Sequence, residues 1–564
     1  MDRITASLLT DFKITQSLTS LSDDRAFERF ANFCVISKEY QDTFNVEDVS
    51  TGDGDDTGID GFALLVNGTL VTSVDEIDDL YERNGHVEAT FIFVQAKSTS
   101  GFSGAEMSSV GFGVKDFFSS TPKLRRNEFI EARALLQARV FERAVQLSRG
   151  NPTCKVFYVT TGKWQNDQDL VARVDSARKD LEDLELFKTV TYTPIDADGI
   201  QKLFQNTQMR VKAEITFAQK TVLPEIEGVK EALIGVLPAA EYMKLLTDET
   251  GNIRKSLFYD NVRDFQGENE VNDQIRNTLR SDVERDRFAM LNNGVTVIAK
   301  SLDTVGNRLV LEDYQIVNGC QTSHVLYEQR TSLDGVYVPT KIIVTNDDNI
   351  INAIIRGTNS QTQVKADQLL ALSDYQKTLE KFFESFTDKK RLYYERRSRQ
   401  YASATGVEKV RIVTIQQQIR VFASMFLDQP HRASRSPSAL LKQIGGQIFA
   451  ANHRPDVYYS SAYAQYKLEY LFRSGAIDVL YKPARYQLLM LVRYLVAGPD
   501  MPPFASNKME KYCRTLLDAL WDEQQSAAVF DQAAQIVRTV SKNKINSDTV
   551  RTEKFTESVI EALP

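Results

Sequence analysis

Residues 91–98 read "FIFVQAKS", and this octapeptide decides how the surrounding chain is read. In an extended strand successive side chains alternate, so Phe91, Phe93, Gln95 and Lys97 share one face while Ile92, Val94 and Ala96 share the other. Upstream, residues 52–66, "GDGDDTGIDGFALLV", form a glycine-rich acidic turn that delivers Asp60 into a second apolar run. That run continues through an Asn67-Gly68 hairpin signal in "IDGFALLVNGTLVTS". If the two runs are neighbours in one sheet, a carboxylate, an amide oxygen and an ammonium converge at its rim.

Outward from this pair the pattern is regular. Residues 23–40, "DDRAFERFANFCVISKEY", place Phe27, Phe30, Ala31, Cys34 and Val35 at helical spacing behind Asp23 and Asp24 as cap residues. "EIDDLYERNG" predicts a short helix ending at Gly85, and a helical region spans about 124–148. "CKVFYVTTGKW" and "FKTVTYTPI" read as strands on either side of the helical "DQDLVARVDSARKDLEDL". Strands alternating with helices predict a mixed sheet covered by helices over residues 1–215. A helical connector is expected over 216–280, a second α/β region over 281–365, and a mainly helical part over 366–564. The expected class is therefore α/β and multi-domain.

The composition excludes several function classes. With 564 residues, 42% of them hydrophobic, the chain can bury more than one core. Its first residues are charged rather than apolar, and "YQLLMLVRYLVAG" is interrupted by Arg493, so neither a secretory signal nor a membrane span is expected and the location is read as cytoplasmic. Cys34, Cys154, Cys320 and Cys513 stand singly, which excludes a CxxC zinc site, and four histidines are too few for a His-rich one. Any metal should be hard and oxygen-bound. The net charge of −8 conceals an asymmetry: residues 1–100 hold 19 acidic and 7 basic side chains, residues 388–455 hold 13 basic and 4 acidic.

Asp60, Gln95 and Lys97 suit phosphodiester hydrolysis: two oxygens to hold Mg²⁺ or Mn²⁺, and an ammonium to stabilise charge developing on phosphorus. An EF-hand starting at Asp53 is excluded because Leu64 occupies the position that needs a bidentate Glu. No GxxxxGK[ST] phosphate loop is present. The order of helix, Asp60 in "GIDG" and then "QAK" resembles the PD-(D/E)xK nuclease superfamily, especially its Mrr-like branch, with Gln95 where that family more often has an acid. The resemblance implies a restriction-endonuclease-like fold, a magnesium-dependent endonuclease, and the possibility of a homodimer for cutting both strands. The neutral Gln95 calls for another carboxylate, with Glu28 on the first helix favoured over Glu106.

In the second half, "NNGVTVIAKS", "YQIVNGCQTSHVLYE", "IIRGTNSQTQVKADQLLALSDYQ" and "YYERRSRQY" resemble the AIPR family, named for abortive infection and phage resistance. This implies a role in antiviral defence, with nucleic acid, DNA in preference to RNA, as the partner. Asn292, Asn293, Asn318, Gln321, Asn359 and Gln361 sit where amides can either contact a nucleic acid or cap turns. Lys389, Lys390, Arg391, Arg396, Arg397 and Arg399 surround Tyr393 and Tyr394, which reads as a phosphate track with stacking rings or as a solvated face with core aromatics. The alternative to a nuclease is a non-catalytic nucleic-acid or nucleotide sensor with a degenerate nuclease fold.

Overall fold

The structure is a computed structural model. It describes the chain except residues 41, 53, 148, 149, 209, 210, 249, 250, 252, 259–269, 360–373, 397–399, 402, 403, 405, 435 and 436. The fold is mixed α/β and divides into two compact units. One combines Met1–Thr207 with Ser373–Pro564; the other is Gln208–Leu372. The sequence reading had set four consecutive segments, whereas the first unit is assembled from both halves of the chain.

In the first unit, strands β1 (Gly61–Val66), β2 (Thr69–Val71), β3 (Ala89–Lys97), β4 (Thr153–Thr160) and β5 (Thr189–Ile195) form one sheet in the order β2-β1-β3-β4-β5. β1 runs antiparallel to β2 and β3, while β3, β4 and β5 are parallel. The Asn67-Gly68 turn is left-handed at both residues, as a two-residue hairpin requires. Helices α1 (Arg3–Thr15), α2 (Asp23–Glu39), α3 (Val74–Asn84), α4 (Gly104–Phe117), α5 (Glu128–Glu142), α6 (Gln168–Glu182) and α7 (Ala197–Gln208) complete this part.

The alternation within β3 builds two cores. Phe91 and Phe93 pack with Phe62, Met107, Val114, Ile130 and Leu181 on one side of the sheet. Ile92, Val94 and Ala96 pack with Phe27, Phe30, Cys34, Phe12 and Phe204 on the other. Both faces of the sheet are therefore dry except at the strand ends, and the polar pair Gln95 and Lys97 falls at such an end.

Helix α4 did not register in the sequence because Gly104, Gly111 and Gly113 depress helix propensity. Each glycine answers a close approach: a Cβ on Gly111 would come within 2.6 Å of the Ala177 side chain, and one on Gly113 within 2.0 Å of the Thr57 carbonyl oxygen.

The C-terminal part of this unit is mainly helical, with long helices at Ile415–Phe426, Pro455–Arg473, Arg485–Ala497, Asn507–Trp521 and Glu523–Ser541. Its cations meet the acids of the N-terminal part. Arg420 pairs with Glu76, which also closes the capping box of α3. Arg485 lies 3.7 Å from Asp48 and 3.3 Å from Glu469, Lys482 lies 3.9 Å from Glu47, and Arg551 lies 3.8 Å from Asp75.

The second unit corrects the expected helical connector. Residues 216–280 contribute strands β7 (Gln219–Val222) and β8 (Glu231–Pro238), which join β6 (Lys212–Thr216), β9 (Val295–Val305), β10 (Arg308–Asn318) and β11 (Tyr337–Val344) in the order β6-β10-β9-β11-β8-β7. Only then do helices α8 (Ala239–Leu246) and α9 (Glu270–Arg280) follow. The segment "EALIGVLP" is held as a strand because β11 and β7 hydrogen-bond to it from both sides. Gly235 permits this, since a Cβ there would meet the Gln219 carbonyl oxygen at 2.0 Å. Long-range pairing outweighs local helix propensity. Among the described residues no helix is long and apolar enough to cross a membrane.

The Arg420–Glu76 pair is mostly buried, and removing one partner should strand the other. Arg420→Ala is expected to destabilise the protein by about 3 kcal/mol. Urea unfolding of Arg420→Ala, Glu76→Ala and the double variant checks this, with the double variant expected to fall well short of additivity.

Candidate active site

Asp60 begins where the acidic turn enters β1, and the backbone fixes it tightly. Its amide donates to the Val94 carbonyl at 2.9 Å, and its carbonyl accepts from Thr51 N at 3.0 Å. The same carbonyl accepts from the Asn32 side-chain amide at 2.9 Å. The carboxylate Oδ2 accepts the Ala96 amide at 2.8 Å, which seats it against the residue lying between Gln95 and Lys97. Asn32 is fully buried on α2, and nothing in the sequence marked it as a positioning residue, because a single Asn on an apolar helix face carries no spacing signal.

Asp60 is 5% exposed. Burial pushes its carboxyl up to about 7; the Ala96 hydrogen bond opposes this, the Glu28 charge adds to it, Lys97 lowers it and Asp56 raises it. Asp60 therefore feels Glu28, Lys97 and Asp56 at once. Glu28 is itself held by Arg25 at 3.0 Å and Arg29 at 3.4 Å. The first turn of α2 also reaches the end of β3, where Ser98 donates to Asp24.

Gln95 is 3% exposed, and its Oε1 has no hydrogen-bond partner among the described residues. A buried amide oxygen without a donor is costly unless something else satisfies it. A Cβ added to Gly58 would stand 3.9 Å from that oxygen, so the acidic turn packs close to it. Gly58 is left-handed, and its amide donates to Asp56 Oδ1 at 2.9 Å. Glu106, the weaker candidate, instead accepts from the Tyr158 hydroxyl at 2.6 Å; Tyr158 pairs with Gln95 in the register of β3 and β4.

Among the described residues no three carboxylate, imidazole or thiol groups cluster so as to hold a metal by themselves. The groups that could serve a cation there are the Asp60 carboxylate, the unsatisfied Gln95 amide oxygen and the Glu28 carboxylate, the last already paired with Arg25 and Arg29. That set fits a hard cation such as Mg²⁺, which keeps several waters and takes one or two carboxylates alongside substrate oxygens.

The expected nucleic-acid residues fare differently. Tyr394 is completely buried and donates to Gln376, and the Arg396 side chain is 2% exposed and bonded to Glu380 at 3.1 Å. Both side chains are packed inside the unit, and the groups that hold them, Gln376 and Glu380, lie upstream of the basic run. Arg391 caps the Glu384 carbonyl, and Lys390 stands 3.7 Å over the Trp521 ring. Lys389 is exposed, 3.5 Å from Glu523. Arg397 and Arg399 lie outside the described residues.

In the second unit Asn318 donates to the Thr358 carbonyl at 2.8 Å, joining β10 to the helix Asp348–Asn359. Gln321 is buried at the start of the helix Cys320–Glu328. Asn292 accepts from Gly294 N at 2.9 Å, as turn chemistry does, and Asn293 is exposed. The side chain of Asn359 and the whole of Gln361 lie outside the described residues.

Compared with known families, residues 258–549 match the family model of the AIPR protein, more than half of the chain. The chain belongs to the AIPR family. The match covers the second unit from its first long helix onward and most of the C-terminal helices, and it begins well after the sheet that carries Asp60 in this AIPR protein. No curated protein and no solved structure matches the chain.

The raised Asp60 carboxyl has a stability consequence. The folded form keeps this proton up to about pH 7 while the unfolded chain releases it near the ordinary aspartate value of 3.8, so folding stability from this group is full below the lower value and is lost as pH rises through the upper one. Relative to Asp60→Asn, wild type should lose roughly 4 kcal/mol between pH 4 and pH 8 without divalent cation. Thermal unfolding of both proteins checks this, and Mg²⁺ at pH 8 should raise the wild-type Tm only.

Proposed function

We propose that this AIPR protein is a metal-dependent nuclease that hydrolyses phosphodiester bonds of nucleic acid, with DNA as the first substrate to test, in anti-phage defence. The observation that carries the reading is the buried, hydrogen-bond-starved Gln95 Oε1 beside a carboxylate held near neutrality, at the sheet end that also bears Lys97. Family membership supports the defence role. The mixed five-stranded sheet, with helices on both faces and Asp60 before its second-position strand, supports a restriction-endonuclease-like reading of residues 1–207.

Asp60 and Gln95 would hold Mg²⁺ or Mn²⁺, with Glu28 as the further carboxylate. When bound, the cation would supply charge neutralisation at the phosphate and a water of lowered pKa. The Ala96 amide fixes the rotamer of Asp60, so the carboxylate needs no rearrangement to act. Asn32 holds the backbone beneath it. The Lys97 ammonium, close enough to lower the Asp60 pKa, stabilises the additional negative charge of the transition state. Asp60 itself is almost wholly out of water, which keeps that interaction strong.

A sensor that binds nucleic acid without cutting it is the second reading, favoured by the neutral Gln95 and by the lack of a three-acid cluster among the described residues. Cleavage of plasmid and phage DNA and of RNA with Mg²⁺ or Mn²⁺ separates the two. Wild type is expected to cut, Asp60→Ala and Lys97→Ala to lose at least about a hundredfold in rate, which is the usual size for one electrostatic contributor. Gln95→Glu is expected to cut at lower Mg²⁺ concentration. Undiminished cleavage by both alanine variants would remove the assignment, and isothermal titration showing no cation binding with or without DNA would favour the sensor.

A further inference from the structure

A cleft of about 630 Å³ opens between the acidic turn, helix α4 and the segment before α5, and includes Asp56, Thr57, Gly58, Phe112, Leu124 and Arg125 in its wall. Its volume falls in the range of small-ligand sites. The Phe112 ring is 51% exposed on a helix whose neighbouring glycines press against other elements, Gly111 against Ala177 and Gly113 against the Thr57 carbonyl. The ring is thus left in the cleft wall while the helix on either side of it is buried. Arg125 is exposed and has no ion-pair or hydrogen-bond partner among the described residues, whereas its neighbour Arg126 turns inward to the carbonyls of Asp116 and Phe117.

The floor of the cleft is polar and rigid. The turn is tied to the start of α5 by Asn127, which donates its amide to Asp55 O at 2.9 Å and its side chain to Gly54 O at 3.0 Å. Thr57 Oγ1 is buried without a hydrogen-bond partner among the described residues. A Cβ on Gly58 would stand 3.9 Å from the unsatisfied Gln95 Oε1, so the turn that lines the cleft also packs against one of the proposed cation donors. Asp56 lines the cleft and also acts electrostatically on Asp60.

We propose that this cleft receives an unpaired nucleobase of the nucleotide next to the reacting phosphate: Phe112 stacks on the base, Arg125 pairs with its phosphate, and Asp56 accepts from an exocyclic amino group. The proposal rests on the phosphodiesterase reading of Asp60 and adds the recognition that reading lacks. An aromatic face with a cation beside it is the arrangement that holds single-stranded bases. Carboxylate acceptors favour bases that bear an amino group, cytosine above all, and disfavour thymine.

The test uses the full-length Asp60→Asn protein in EDTA, with fluorescein-labelled single-stranded (dC)₁₀ and (dT)₁₀ read by fluorescence anisotropy. Phe112→Ala and Arg125→Ala, both at exposed positions, are each expected to weaken (dC)₁₀ binding about tenfold, the size of one stacking contact. Asp56→Asn is expected to reduce the preference for (dC)₁₀ over (dT)₁₀. Competition by CMP at concentrations similar to the oligonucleotide would assign the base to a free nucleotide, and failure to compete would assign it to a polynucleotide strand; either supports the base site. No binding, or binding unchanged within twofold by both Phe112→Ala and Arg125→Ala in proteins of unaltered Tm, overturns it. Base binding that depends on Phe112 and Arg125 in a protein that cuts nothing with Mg²⁺ would refute the hydrolytic reading and leave the base site standing.

Discussion

One hydrogen bond organises the candidate site: the Ala96 amide to the Asp60 carboxylate. It joins the end of the acidic turn to the middle of the QAK tripeptide, and it does so through backbone, so the geometry does not depend on which side chains occupy the flanking positions. The cost is a carboxylate placed almost wholly out of water, where the charges of Glu28 and Asp56 add to the burial penalty and the Ala96 hydrogen bond and Lys97 oppose it. Under the proposed reading a bound cation would offset that imbalance at the carboxylate and at the stranded amide oxygen of Gln95.

The sheet around this bond was legible because its signals are local. The Asn67-Gly68 turn, the strict alternation of β3 and the Gly85 stop each act over a few residues, and the strands of residues 61–195 appear where those signals put them. The gathering of Asp60 with Lys97 and Glu28 was legible for a related reason: strand order and helix entry place them, and both follow from pattern. Asn32 was invisible because its role, bonding the carbonyl of residue 60 across 28 positions, exists only after packing. Strand β8 was misread because its hydrophobic spacing is compatible with a helix, and two neighbouring strands settle the matter from outside.

The basic run near residue 390 teaches the opposite lesson. A count of charges within a window measures surface only if the partners lie in the same window. Here several do not: Glu380, which holds Arg396, precedes it, and farther along the chain Arg420, Lys482, Arg485 and Arg551 find Glu76, Glu47, Asp48 and Asp75. The acidic beginning and basic later part of the sequence are, in good measure, one internal electrostatic fit.

That fit bears on biosynthesis. Glu76 emerges from the ribosome 344 positions before the arginine that neutralises it. Until then the α3 carboxylate and its neighbours face water, and the sheet layer lacks the helices that complete its unit. A nascent or prematurely terminated chain would carry the sheet of residues 61–195 without the arginines and lysine that neutralise Glu76, Glu47, Asp48 and Asp75.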